Sequence, residues 1–210
     1  MSNDRAEFYP LRRREVVARL VAARDELPGG GALLVVGGLG APSWDLTAAG
    51  DHALTFPLWG AMGGAAMIGL GLALARPTRR VLVVTGDGEM LMGLGALATI
   101  AVQAPANLAV VVLDNERYGE TGMQATHTAG PTNLSAVAAG AGFPVVGGIF
   151  DQAQLEVALP RIRAEPGPLF FNIKVRAEEL PLVLPPKDGV RLKDRFRATL
   201  LGSNAAGHGE

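Results

Sequence analysis

Two short polar motifs in the sequence carry residue types that bind metal ions. Each follows an apolar run: Gly-Asp-Gly at 86–88 and Asp-Asn at 114–115. Carboxylate and amide oxygens suit Mg²⁺, which takes its other ligands from water and phosphates. The glycines beside Asp87 allow a phosphate close to the backbone, and the helix that follows would offer it free N–H groups. Asp87 and Asn115 therefore predict a metal-bridged phosphate site.

The elements around these motifs indicate how they come together. A helix is predicted at 89–103, between apolar, β-branched runs at 80–85 and 107–113 that are typical of buried strands. A right-handed crossover through this helix would make the two strands parallel and adjacent. Since the carboxyl ends of parallel strands share one sheet edge, we expect Asp87 and Asn115 to reach the same ion.

The same alternation extends along the whole chain. Strands are predicted at 32–38, 80–85, 107–113, 143–146 and 169–175, and helices at 10–24, 42–49, 60–75, 89–103, 133–141, 151–164 and 190–201. This pattern predicts an α/β fold with three layers, α/β/α, around a mostly parallel central sheet. We expect one cofactor-binding domain over 1–180, including the N-terminal helix, followed by a connection, a helix and a frayed tail over 181–210.

Composition excludes several classes of function. The chain has 210 residues, of which 49% are hydrophobic, and 19 Lys and Arg balance 20 Asp and Glu. This balance argues against nucleic acid as a partner. The chain has no cysteine, which excludes disulfides, thiolate zinc sites and cysteine-ligated clusters. The N-terminus lacks an apolar signal core, and the glycine-rich apolar stretch at 58–75 predicts a buried helix. We therefore expect a cytoplasmic protein with no membrane contact.

Two other interpretations of the motifs stay open from the residues alone. Asp87 is also a residue type that caps a helix. Residues 38–43 nearly match the glycine pattern of dinucleotide-binding folds, although the match ends in serine and contains a proline. A doubly wound nucleotide-binding protein is the corresponding alternative, but Asp87 would repel a pyrophosphate unless a cation lay between them.

A resemblance to a known family favours the metal site. Gly-Asp-Gly followed by 25 residues and Asp-Asn resembles the metal-binding motif of thiamine diphosphate (ThDP) enzymes. The approach to it, from Trp59, resembles their pyrophosphate-binding (C-terminal) domain, and the likeness extends over about 30–145. Residues 114–128 resemble the beta subunits of sulfopyruvate decarboxylases and the C-terminal half of phosphonopyruvate decarboxylases. The resemblance implies the ThDP-binding fold and a carboxy-lyase that acts on a small 2-oxo acid.

The resemblance also implies roles for individual residues. Mg²⁺ would be bound by Asp87, Asn115 and the backbone carbonyl of Arg117. The carbonyl of Gly60 would accept from the amino group of the cofactor pyrimidine, and Met62 would be the apolar wedge that bends the cofactor. The other expected cofactor-binding residues are Gly86, Gly88, Glu89, Tyr118, Gly119 and Glu120, with backbone N–H groups of Gly88, Glu89, Gly119 and Glu120 reaching the diphosphate. His127 and Gln124 are weaker candidates for catalytic contact with substrate.

One part of the family's active site has no counterpart in this chain. In the family, a glutamate from a separate pyrimidine-binding domain activates the cofactor, and the roughly 80 residues before the Gly-Asp-Gly motif are taken up by the pyrophosphate domain. The resemblance thus implies a hetero-oligomer in which an alpha subunit of similar size supplies that glutamate. Acyl transfer or carboligation with the same cofactor, and a non-catalytic ThDP-binding module, are the alternatives.

Two stretches bear on the substrate and the surface. Where the resembling decarboxylases often have Pro-Ser-Arg-Glu-Leu, residues 42–46 are Pro-Ser-Trp-Asp-Leu. An arginine for a sulfonate or phosphonate is therefore absent there, and Trp44 points either to a bulkier 2-oxo acid or to a packing role. Three consecutive arginines at 12–14 predict a solvated helix face.

Overall fold

The sheet is the centre of the fold. The computed structural model describes residues 5–27 and 31–202. Its strands are β1 (Leu34–Gly37), β2 (Thr55–Pro57), β3 (Val81–Gly86), β4 (Leu108–Asp114), β5 (Arg117–Tyr118), β6 (Gln124–Ala125), β7 (Val145–Ile149) and β8 (Leu169–Lys174). Six of them form one parallel sheet in the order β2-β1-β3-β4-β8-β7, while β5 and β6 form a separate antiparallel pair.

Helices cover both faces of this sheet. They are α1 (Arg13–Val21), α2 (Ala41–Ala48), α3 (Ala65–Ala75), α4 (Asp87–Met92), α5 (Gly95–Gln103), α6 (Leu134–Ala141), α7 (Gln152–Ala164) and α8 (Gly189–Leu201). The first core packs α1, α2 and α7 on one sheet face, and the second packs α3, α4, α5, α6 and α8 on the other. Because the strands are covered on both sides, β1, β3 and β4 are mostly apolar without alternation, whereas β8 carries the polar residues Asn172 and Lys174 towards its carboxyl end. The predicted three-layer α/β architecture is confirmed.

The chain differs from the predicted elements where glycines allow close backbone contacts. The helix expected over 60–75 begins only at Ala65, since Ala61 and Gly63 have φ of 58° and 95°, which a helix cannot contain. The helix expected over 89–103 is two helices, α4 and α5. They separate at Gly93, where a Cβ would stand 2.3 Å from the Gly63 carbonyl oxygen.

Other differences concern short or terminal elements. The edge strand β2 was not predicted, because three residues carry too little pattern. The predicted strand at 143–146 lies at Val145–Ile149. Most of the predicted tail, residues 203–210, and two of the three glycines at 29–31 lie outside the described residues. In the described part of the chain, no helix is long and apolar enough to span a membrane.

Candidate active site

A cavity of about 460 Å³ opens at the carboxyl ends of the central strands. It lies beside β1 and β3, whose connections leave in opposite directions and cover opposite faces of the sheet. Such a reversal point is where open parallel sheets bind ligands. The cavity wall contains Met62, residues 86–89, Asn115 and residues 117–120. Every residue predicted to bind cofactor or metal is therefore present in it except Gly60.

Asp87 occupies the buried floor of this cavity, where it is 2% exposed. Its Oδ2 accepts a hydrogen bond from the hydroxyl of Thr126 at 2.5 Å and lies 3.1 Å from the hydroxyl oxygen of Thr128. Burial, reinforced by the nearby Asp114 carboxylate, raises the pKa of Asp87 to about 7. A bound cation would therefore stabilise the ionised form of Asp87. Thr126 and Thr128 were not predicted.

Asp114 links this floor to the neighbouring strand β8. Its Oδ1 accepts from the Thr128 hydroxyl at 2.8 Å, and its Oδ2 accepts from the Asn172 amide at 2.9 Å. Lys174 lies 2.8 Å from the same carboxylate. Asp114 therefore fixes the position of Thr128, whose hydroxyl oxygen also lies against Asp87, and the charge of Asp114 is balanced by Lys174.

Glu116 extends the charged network to the N-terminal segment. It accepts hydrogen bonds from Lys174 at 2.7 Å, Tyr9 at 2.8 Å and Arg5 at 2.8 Å. Burial opposes ionisation, but these three donors hold the pKa of Glu116 below its usual range. Glu116 also has a left-handed backbone, with φ of 61°. Its anchored side chain thus fixes an unfavourable backbone turn immediately after Asn115.

Asn115 begins this turn. Its Oδ1 accepts from the backbone N–H of Arg117 at 3.0 Å, and an amide oxygen has a second lone pair for a cation. In the described residues, no group of three or more His, Asp or Glu could hold a metal ion. The residues nevertheless fit Mg²⁺, because this ion needs only one or two protein side chains when phosphate and water complete its shell. Asp87 and Asn115 would offer it hard oxygen ligands from one cavity wall.

The side-chain carboxylate of Glu89 accepts three hydrogen bonds, whereas the sequence predicted a role only for its backbone N–H. Its side chain is 3% exposed and accepts from the Thr85 hydroxyl at 2.7 Å, the Leu39 N–H at 3.0 Å and the Ala65 N–H at 3.3 Å. Burial raises the pKa of Glu89, while these donors act to lower it. The carboxylate joins three separate segments around the cavity. A Cβ on Gly38 would lie 1.9 Å from it, so a larger residue at this position would displace the carboxylate.

The part of the cavity wall at Met62 is apolar and exposed. Met62 lines it and is 40% exposed, while Gly60 is exposed outside its wall. His127 and Gln124 are also exposed and lie outside the wall. Gln124 bonds instead to Thr121 in its own loop, by its amide N–H to the carbonyl at 2.7 Å. The structure therefore gathers the predicted cofactor and metal residues other than Gly60 on one cavity wall, and leaves the two catalytic candidates outside it.

The predicted solvated face at 12–14 is wrong for Arg13. Arg12 is exposed, but Arg13 is only 8% exposed, pairs with the fully buried Asp45 and lines the cavity. The helical spacing contains the missed signal, since Arg13 shares a face with the buried Val16, Val17 and Leu20. Nearby, Trp44 packs edge-to-face on Trp59, with ring centroids 5.9 Å apart. Trp44 is absent from the cavity wall, which favours its packing role.

Comparisons with known proteins agree with this site. Residues 41–173 match the family model described as thiamine pyrophosphate enzyme, C-terminal TPP binding domain. Sulfopyruvate decarboxylase subunit beta of Methanothermobacter thermautotrophicus is 37% identical over 193 residues, which cover 92% of this chain and 97% of that protein. Phosphonopyruvate decarboxylase of Streptomyces hygroscopicus is 40% identical over 171 residues, covering 81% of this chain but 42% of that protein.

A solved structure shows the same fold. Benzoylformate decarboxylase from Polynucleobacter necessarius superposes with a TM-score of 0.67 at 19% identity, covering 87% of this chain and 36% of that one. This chain thus spans about a third of that structure, but nearly the whole of the beta subunit. The predicted resemblance is confirmed, and the chain belongs to the thiamine pyrophosphate enzymes, carrying their C-terminal TPP-binding domain.

Proposed function

We propose that this chain is the beta-type subunit of a split, ThDP- and Mg²⁺-dependent decarboxylase of small 2-oxo acids. One observation carries the proposal: the chain matches a sulfopyruvate decarboxylase beta subunit over almost the full length of both. The word "subunit" in that name describes an enzyme divided between chains. A partner of similar size with a pyrimidine-binding domain completes the active site here, in a hetero-oligomer.

The proposed residue roles follow the cavity. Asp87 and Asn115 bind Mg²⁺ by side-chain oxygens, and Arg117 by its backbone carbonyl. Backbone N–H groups at Gly88, Glu89, Gly119 and Glu120 bind the diphosphate, with Gly86 and Tyr118 beside them. Support comes from the position of all these residues on one cavity wall. At α4, the first N–H groups have no partner within their helix and remain available to an anion.

The apolar side of the cavity receives the organic part of the cofactor. Met62 lies on that side as the proposed wedge, and Gly60 is two residues before it on an exposed loop. When bound, ThDP supplies an electron sink for loss of CO₂ from a 2-oxo acid. The exposure of this side supports closure by a partner chain. A cytoplasmic location stays a prediction from the sequence.

The test begins with purification of the tagged chain from its native cells, followed by identification and quantification of bound chains. The expected result is a near-stoichiometric chain with a pyrimidine-binding domain. The complex should then release CO₂ from a 2-oxo acid in a panel that includes sulfopyruvate, phosphonopyruvate and benzoylformate. Activity should require Mg²⁺ and ThDP and should be lost with EDTA.

Three results would contradict this function. Full activity of the pure chain alone would refute the split active site. Carboligation or acyl transfer without net decarboxylation would favour the alternative reaction with the same cofactor. A complex that binds ThDP without converting any 2-oxo acid would favour a non-catalytic binding module. The variant Asp87→Asn is the matched negative control for metal-dependent activity.

A further inference from the structure

Arg13 brings a buried positive charge to the cavity from outside the sequence motifs of the site. It lies at the beginning of α1, which packs against α2, and the first residues of α2, Ala41 and Pro42, line the cavity beside it. Its side chain is 9% exposed. Arginine is seldom buried to this extent unless its charge is compensated. The buried positive charge of Arg13 therefore needs negative charge close to it.

Among the described residues, the compensation of this charge is incomplete. Asp45, whose side chain is fully buried, pairs with both Arg13 and Arg14. One carboxylate thus faces two guanidinium groups, and this buried cluster has an excess of one positive charge. Arg14 is 27% exposed and also donates to the Pro181 carbonyl at 2.8 Å. Solvent and a backbone oxygen therefore serve Arg14, whereas Arg13 is much less exposed and donates to no backbone oxygen in the described residues.

The hydrogen-bonding groups of Arg13 show the same deficit. A guanidinium has five N–H donors, and within the described part of the chain Arg13 bonds only to Asp45, through Nη1. Its other donors have no protein acceptor there, although the side chain forms part of the cavity wall. An anion in the cavity would supply both the missing acceptors and the missing negative charge.

We propose that Arg13, positioned by Asp45, binds the diphosphate of the cofactor directly. This inference rests on the proposed function, which places Mg²⁺ and the diphosphate in the same cavity. The diphosphate is favoured over the anionic end of a substrate because the Arg13 side chain, 9% exposed, is buried as Asp87 is, and both line the cavity with the proposed diphosphate-binding residues. Met62, where the reacting part of the cofactor is proposed to lie, is instead 40% exposed. Arg13 is thus a specific contact to the cofactor that is independent of the metal ligands.

The test measures the dissociation constant of Mg²⁺–ThDP by isothermal titration. It uses the full chain, together with its partner subunit when one co-purifies. Arg13→Gln should weaken binding about 10- to 100-fold, the range expected for loss of charged hydrogen bonds. Mg²⁺–pyrophosphate should compete with ThDP for the wild-type protein and should lose affinity for the variant by a similar factor.

Arg14→Gln is the matched control. It also removes one partner of Asp45, but from outside the cavity wall, so its dissociation constant should stay within about twofold of wild type. Thermal unfolding should show that both variants fold. If Arg13→Gln does not fold, Arg13→Lys keeps a charge for Asp45 but loses the fork of donors. That variant should bind ThDP several-fold more weakly.

The outcomes separate this inference from the proposed function. A wild-type protein that does not bind Mg²⁺–ThDP would refute the function itself. Wild-type binding with an unchanged dissociation constant in Arg13→Gln, or in Arg13→Lys when the glutamine variant is unfolded, would overturn only the role of Arg13. An unchanged ThDP affinity with a raised KM for the 2-oxo acid would assign Arg13 to the substrate and would equally overturn the proposal.

Discussion

Asp87→Asn should stabilise the metal-free protein while it abolishes metal-dependent cofactor binding. Burial and the Asp114 carboxylate raise the pKa of Asp87 from 3.8 to about 7. Because its pKa is higher in the folded state, Asp87 lowers the free energy of unfolding as pH rises from its unfolded pKa to its folded pKa. Below the unfolded pKa this cost is absent, and above the folded pKa it is complete. A difference of about three pH units, at 1.36 kcal/mol each, corresponds to about 4 kcal/mol at pH 8.

Asparagine has nearly the same shape as aspartate and avoids that cost. The variant should therefore unfold about 10 °C higher than wild type at pH 8 in EDTA, given about 2–4 °C per kcal/mol for a chain of this length. The gain should decrease between pH 7 and pH 4 and vanish below pH 4. Thermal unfolding followed by circular dichroism at several pH values gives this comparison.

Ligand should reverse the order of stability. At about 100 times its dissociation constant, Mg²⁺–ThDP should stabilise wild type by about 2.7 kcal/mol and leave Asp87→Asn unchanged. Asp194→Asn, at a side chain that is 60% exposed, controls for loss of a charge without burial. An Asp87→Asn protein no more stable than wild type at pH 8 without metal would refute the electrostatic reasoning.

Three further predictions concern packing, charge and helix ends. Gly69→Ala should destabilise the protein by about 1–3 kcal/mol in urea unfolding, because its Cβ would lie 2.2 Å from Val83 Cγ2. Gly71→Ala in the same helix meets no atom within 4 Å and should stabilise by about 0.5–1 kcal/mol; equal effects would contradict the packing argument. Lys174→Met should cost about 3–5 kcal/mol, because it leaves two buried carboxylates without their shared cation; a loss below about 1 kcal/mol in guanidinium unfolding would contradict this. Asp151→Ala removes the acceptor for the N–H of Gln154 at the beginning of α7 and should lower the unfolding free energy by about 1 kcal/mol. An unchanged urea midpoint would show that this cap is dispensable.

The fold was largely predictable because its central strands are buried on both faces. Runs such as those at 80–85 and 107–113 have few polar residues, and the helical segment between them sets a parallel crossover. The break between α4 and α5 was not predictable from local pattern. It depends on the backbone of Gly93 meeting that of Gly63, 30 positions earlier, and such contacts leave no periodic signal.

The candidate site was predictable to the extent that a local motif describes it. Asp87 and Asn115 follow strands at a recognisable spacing, and both line the cavity. Arg13, Thr126 and the side-chain role of Glu89 depend instead on how distant segments pack. Arg13 in particular lies in a run of three arginines whose sequence resembles a charged surface, although its helical position places it among apolar neighbours.

The shared carboxylate of Glu89 has a consequence for the order of events in folding. Its donors at Leu39, Ala65 and Thr85 belong to segments that meet only after β1, α3 and β3 have docked. The cavity therefore becomes competent late, when most long-range contacts exist. A cofactor that binds only the completed cavity cannot lower the barrier to folding, but it does stabilise the folded protein. Added Mg²⁺–ThDP should consequently slow unfolding and leave the refolding rate nearly unchanged. Bound cofactor would thus lengthen the lifetime of the folded subunit.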